Sequence, residues 1–319
     1  MNNGLMLIDK HHMGLWLTYL YKEYEKHCYL IDIHSSVDDI LNIIKENRLK
    51  YIIIPQMHST IERNILKSKM EIIKKSGINI IVFMASPAKE ILDNQVFKEF
   101  FYDIEATGIM IYNDCVRNLY RDWLDLADDD IFHHMWGVST DIFKDYGLNK
   151  NIDICSTGKF SSYKYRRDLH FLLSNFRNIR YERFRQIPKE QTHPNYIYAR
   201  KLNESWINVG GCSLPDKLSY YRDSFINDTF PKNIEIAGSK SCLLTSDWGD
   251  REYLGFEDGK NCIIFKTLRD AVGKSLYYLE DKELLGKITK NGYDLVQKNY
   301  NVIDTMRNLF KNIERRYVK

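Results

Sequence analysis

Short apolar runs alternate with longer stretches of helical spacing through the first part of the chain. Leu5 to Asp9, Tyr29 to Ile33, Tyr51 to Pro55, Ile78 to Met84 and Gly108 to Tyr112 are rich in Ile, Leu and Val. Runs of this length that stay apolar, instead of alternating with polar residues, predict strands covered on both faces. Between them, Leu15 to His27, Ser36 to Glu46, Thr60 to Lys75, Lys89 to Ile104 and Asp114 to Leu126 repeat apolar residues at the period of a helix. Ser36 and Asp39 have the spacing of a helix start, and Gly77 is placed to end the third helix. Lys10 to Gly14 is a loop directly after the first strand. Strand and helix in strict turn imply βαβ units and a parallel sheet.

The rhythm breaks at Asp128-Asp-Asp130 and His133 to Phe143, then restarts. The second series has strands at Ile152 to Ser156, Ile179 to Phe184 and Trp206 to Val209, and helices at Tyr163 to Asn175 and Pro194 to Ser205. A polar helix candidate begins at Tyr220 and carries Arg222. Pro231 then sits at a favoured first-turn position of a helix. Ser241 to Thr245 and Cys262 to Phe265 read as strands around a polar loop, Ser246 to Lys260. Lys287 to Lys298 and Ile303 to Arg316 are the closing helices. A chain of 319 residues has room for two such domains with cores of their own. We place them at 1–145 and 146–300, with 301–319 as a final helix.

Composition narrows the function classes. Lys and Arg number 46 against 43 Asp and Glu, a net charge of +3 that implies neither nucleic acid nor a membrane surface by itself. The six cysteines form no CxxC and no close pair, which suits a reducing cytoplasm, and Cys115, Cys155, Cys242 and Cys262 lie in or beside strand-like runs as small buried hydrophobes. Met1 to Trp16 lacks the pattern of a signal peptide, and no apolar run approaches the roughly 20 residues of a membrane span.

Candidate chemistry collects around Pro231. A helix N-terminus at the end of a parallel strand offers free N–H groups and a favourable dipole to a phosphate. Lys232 and Glu235, three apart, share a face there. The order of parts in FPKNIEIAGSKSCLLTSDWGDREYLGFEDGKNCIIF and the following YYLED and NGYDLV resembles the C-terminal half of GT-B glycosyltransferases. The nearest likeness is the group-1, spore-maturation (CgeB-like) type. Gly137-Val138, Thr140-Asp141 and Phe143 likewise resemble that family's link between domains, with Ser139 where an Asp is usual.

The resemblance implies two Rossmann-like domains with parallel sheets facing a cleft, and a C-terminal helix crossing back to the N-terminal domain. It implies a hexosyltransferase that moves a sugar from a nucleotide-diphosphate sugar to an acceptor hydroxyl of a glycan, lipid, protein or modified base. No metal and no separate cofactor are expected. Lys232 stands where the family has Arg and would contact the diphosphate as a point charge in place of a planar fork. Arg166, Arg167 and Lys159 are further phosphate candidates, and Glu235 would hold the ribose hydroxyls. Arg222 and the loop from Asp247 to Arg251 would line the donor site. In the N-terminal domain Gly14 belongs to the acceptor loop, and His11 or His12 stands where inverting relatives place a general base. Two departures are noted: Asn227 where retaining relatives carry a second Glu, and Lys240 where relatives often have Gly. The alternatives are a nucleotide-sugar epimerase, a phage-type DNA-base glucosyltransferase with nucleic acid as acceptor, and a degenerate protein that binds nucleotide sugar without turnover.

Overall fold

The computed structural model describes residues 2–8, 18–55, 60–84, 95–157, 164–184, 194–210 and 231–318. The chain divides into two compact units, Met1–Met135 with Ile303–Lys319, and Trp136–Val302.

The first unit is built on a six-stranded parallel sheet in the order β2-β1-β3-β4-β5-β6. Its strands are β1 (Gly4–Ile8), β2 (Tyr29–Asp32), β3 (Tyr51–Pro55), β4 (Asn79–Met84), β5 (Gly108–Ile111) and β6 (Ile131–His133). The central strands are buried almost throughout, as their unbroken apolar character requires. Helices α1 (Thr18–Tyr24), α2 (Val37–Asn47), α3 (Thr60–Ile73), α4 (Gln95–Asp103) and α5 (Arg117–Leu124) connect them. Ser36 caps α2, its hydroxyl accepting from the Asp39 amide at 3.1 Å. Gly77 closes the turn after α3 at φ 74°.

Strand β6 is a departure from the sequence reading. It follows three aspartates and is only three residues long, too short to show a period, yet it pairs in parallel with β5. The chain's last helix belongs to this unit. Arg316 makes two hydrogen bonds to the Asp130 carboxylate, at 2.7 and 3.1 Å, and Tyr317 donates to the Thr107 carbonyl at 3.0 Å. Tyr317 also explains Gly108. A Cβ there would stand 2.6 Å from the Tyr317 hydroxyl and 2.8 Å from the Asp130 carbonyl.

The second unit has a five-stranded parallel sheet in the order β11-β10-β9-β7-β8. These are β7 (Ile152–Thr157), β8 (Tyr181–Phe184), β9 (Ser205–Val209), β10 (Cys242–Ser246) and β11 (Ile263–Phe265). The helices are α6 (Lys164–Ser174), α7 (Pro194–Asn203), α8 (Pro231–Gly238), α9 (Leu268–Glu280) and α10 (Lys282–Asn299), and the last helix of the chain is α11 (Val302–Tyr317). Ile154, Leu173, Ile207, Leu244, Phe265 and Leu285 centre its core. Helix α10 starts five residues before the sequence reading, because the Asp281 side chain caps it through the Leu284 amide at 2.9 Å. Cys28, Cys155, Cys242 and Cys262 are buried, but Cys115 is exposed, against expectation: it lies in a short turn after β5 and not in a strand. Among the described residues no helix is long and apolar enough to cross a membrane.

Candidate functional site

The site forms at the carboxyl end of the second sheet. In a parallel sheet every strand ends on the same side, and each covering helix runs back antiparallel, so the start of α8 comes to that same end. The contacts agree. The Lys232 amine donates to the carbonyl of Thr157, the last residue of β7, at 2.5 Å. Gly210 follows β9 directly, and a Cβ there would lie 2.5 Å from Asn233 Oδ1, 2.6 Å from Leu243 Cδ1 and 3.2 Å from Thr245 Cβ. Strand end and helix start therefore approach more closely than any side chain at 210 would allow.

Helix α8 is buried on all sides except at Lys232. Glu235 is 4% exposed, one turn into the helix. Further buried polar groups are Asn233 on α8 and Thr245, Ser246 and Asp250 at and after the end of β10. Two buried polar atoms here, Thr245 Oγ1 and Trp248 Nε1, have no hydrogen-bond partner among the described residues. A buried hydroxyl or indole N–H left unsatisfied is costly, on the order of 1–3 kcal/mol. Such groups at the carboxyl edge of a parallel sheet are where a polar ligand gains most. The sequence reading placed Trp248 in a loop, Asp247 to Arg251, expected to line the donor pocket, but gave Thr245 no role beyond ending a strand.

The other expected donor residues fare differently. Asp247 is exposed and paired with Arg251 at 2.8 Å, and its carboxylate accepts from the Trp248 amide at 3.0 Å. Arg167 is also exposed and lies 3.6 Å from Asp168. Neither is brought against α8 by any contact described. Arg166 falls in the first turn of α6, with its side chain outside the described residues. His11, His12, Gly14, Lys159, Arg222 and Asn227 also lie outside them.

Several pieces of the family-like pattern prove to be structural. The Asp258 carboxylate accepts from the Ile264 amide at 2.8 Å and pairs with Lys274 at 2.7 Å, which sets β11 in place. Gly259 turns the chain at φ 72°. Asn291 donates to the Lys260 carbonyl at 2.9 Å, and a Cβ on Gly292 would meet the Asn261 carbonyl at 2.5 Å. The Glu-Asp-Gly-Lys turn and the Asn-Gly of α10 thus form one clasp. Val138 exchanges backbone hydrogen bonds with Tyr300 and Val302, and the Ser139 carbonyl accepts from both Ile142 and Phe143. Lys240 explains the usual glycine: its backbone is left-handed at φ 53°, and its amine is held by Asp145 at 2.5 Å.

In the first unit, His133 and His134 follow different courses. His133 Nε2 is 3.0 Å from the Tyr112 carbonyl. His134 is buried, with Nε2 2.5 Å from the Tyr24 hydroxyl, and burial pulls its imidazole down to about 3, so it is neutral at physiological pH. Among the described residues no group of three His, Cys, Asp or Glu side chains has the geometry to hold a metal ion.

Comparison with known proteins matches this geometry. Residues 158–311, which include the whole of α8 to α10, match the model of a family described as glycosyl transferase-like. A glycosyltransferase from Rickettsia africae superposes with a TM-score of 0.62 at 11% identity, covering 100% of this chain and 99% of its own. Sucrose-phosphate synthase from Thermosynechococcus elongatus gives 0.69 at 11% identity, with 99% and 100% covered. The Anabaena protein Alr3699/HepE, solved in complex with UDP, gives 0.67 at 9% identity over 99% and 100%. The fold is GT-B. No curated protein matches the sequence itself. At such low identity the likeness to solved GT-B proteins carries the architecture; the chemistry has to be argued from the residues.

Proposed function

We propose that this GT-B protein is a glycosyltransferase that takes a sugar from a nucleotide-diphosphate sugar and transfers it to an acceptor hydroxyl. The observation that carries the reading is α8: Lys232 and Glu235 start a helix at the carboxyl edge of a parallel sheet, inside the stretch that matches a glycosyl transferase-like family. As the leaving nucleoside diphosphate gains charge, Lys232 and the N-terminus of α8 stabilise it, work that asks for no divalent metal. Glu235 accepts hydrogen bonds from the ribose diol, each charge-assisted bond being worth about 1.5–3 kcal/mol. Thr245 and Trp248 supply further polar contacts to the donor. UDP, seen bound in the Anabaena relative of this fold, is the first nucleotide to try.

The finer parts of the reading follow. The transferase is of the spore-maturation type, on the strength of the residues from Pro231 to Gly292. The second unit holds the donor, with Lys159, Arg166, Arg167, Arg222 and Asp247 contributing at its rim. The first unit receives the acceptor, with His11 or His12 as base and Gly14 in the acceptor loop. Four buried, unpaired cysteines support work in a reducing cytoplasm.

Calorimetric titration of the full chain with UDP, GDP, ADP and their common sugar conjugates, with and without chelator, tests the reading. One nucleotide diphosphate is expected to bind in both conditions. Lys232→Ala should weaken the diphosphate more than the corresponding monophosphate. No binding by any of them would overturn the proposal.

A further inference from the structure

The outer edge of the second sheet is basic. Residues 164–184, which span α6 and β8, contain six Lys or Arg against two acids, Asp168 and Glu182, a balance of +4. The whole chain stands at +3, so everything else sums to −1. Both acids are already engaged, Asp168 with Arg167 at 3.6 Å and Glu182 with Lys201 at 2.7 Å. Arg167, Arg177, Arg180 and Arg183 are all exposed.

Large apolar side chains stand out among these arginines. Phe171 is 62% exposed and Leu172 42%, one turn after Arg167 on α6. Helix α6 packs on the edge strand, with the His170 ring 5.2 Å from that of Tyr181 on β8. An edge strand is protected from stray pairing by charge alone. That purpose accounts for the arginines, but it leaves the outward Phe171 and Leu172 unexplained. Guanidinium groups beside exposed aromatic and aliphatic side chains are the composition that anionic bilayer surfaces favour, with charge meeting headgroup phosphates and rings entering the acyl boundary.

We propose that the α6–β8 edge docks this protein on an anionic lipid surface. The variants that test it, at Phe171, Arg177 and Arg180, leave Arg166 and Arg167 of the proposed donor rim untouched, so the two readings can fail separately. Co-sedimentation of the full chain with vesicles tests it, using phosphatidylcholine alone and seven parts phosphatidylcholine to three parts phosphatidylglycerol. Sedimentation is expected with the anionic vesicles only, falling with added salt. Phe171→Ser, and separately the pair Arg177→Glu and Arg180→Glu, should each lower the bound fraction about tenfold. Thermal melts and nucleotide titrations of these variants should match the parent, since the changed side chains are exposed and remote from α8 in sequence. Absence of sedimentation, or equal sedimentation with neutral vesicles, overturns the proposal. So does binding that survives Phe171→Ser while the arginine variant loses it, because the edge would then be a purely electrostatic site for a polyanion such as nucleic acid.

Discussion

The two ends of the second sheet use their polar groups in opposite ways. Toward the amino end, polar atoms are spent on one another. Lys150 donates to the carbonyls of Ser205 and Lys240 at 3.0 and 2.5 Å. Asn203 donates to the Ser239 carbonyl at 2.9 Å and accepts from the Leu148 amide at 3.3 Å. Asn208 donates to the Leu202 carbonyl and, at 2.6 Å, to the Ser241 hydroxyl, with only its Oδ1 left over. At the carboxyl end, Thr245 Oγ1 has no partner among the described residues and lies by Gly210, which abuts Asn233 in the first turn of α8; Trp248 Nε1, just after β10, is buried and likewise unpartnered. One end holds the unit together; the other keeps hydrogen-bonding capacity in reserve, as a binding site requires.

This contrast can be broken from either side. Glu235→Ala is expected to cost nucleotide binding about 1.5–3 kcal/mol, a loss of roughly tenfold or more, with little change in melting temperature; calorimetric titration beside a thermal melt checks both. An affinity equal to the parent's would remove Glu235 from the site. Asn208→Leu should do the reverse. It strips the Leu202 carbonyl and Ser241 of a buried partner, so denaturant unfolding should show a loss of about 1–3 kcal/mol while the folded protein still binds nucleotide.

A subtler test uses pH. Burial pulls the Lys150 amine down to about 7, with the nearby charge of Asp145 opposing that shift. An unfolded lysine titrates near ~10.4, so between about 7 and about 10 the unfolded chain binds more protons at this residue and its contribution to stability rises with pH. Below that window both states are protonated and the penalty of burying the charge is fully present. Lys150→Met lacks this titration, so the difference between parent and variant stability curves should rise with pH across that window. A difference that is flat with pH would mean that the amine keeps its ordinary affinity for protons. The smallest effect belongs to Lys240→Gly, which relieves a left-handed backbone but loses the bond to Asp145, and the net change should lie within about 1 kcal/mol of zero.

Much of the candidate site was legible as punctuation. Pro231 opens a helix, Lys232 and Glu235 share its first turn, and a strand follows; each of these depends only on residues close in sequence. Its supporting structure was harder to read. The Glu-Asp-Gly-Lys turn and Asn291-Gly292 look like separate signatures because thirty-one positions separate Lys260 from Asn291, though they touch. Lys240 reads as a departure from a pattern until its φ shows why glycine would suit that position. Strand β6 escaped because three residues after an acidic cluster carry too little periodicity to declare themselves.

The sequence by itself determined the alternation of strand and helix, and hence the parallel sheets, because an unbroken apolar run and a helical repeat are local properties of the chain. It also determined where α8 begins, since a proline's fixed geometry acts on its immediate neighbours. Only the tertiary structure decided the strand orders and which polar atoms are buried with partners and which without. Those depend on distances between segments far apart in the chain, where Gly210 meets Asn233 and Lys232 reaches Thr157, and burial is a property of the packed whole.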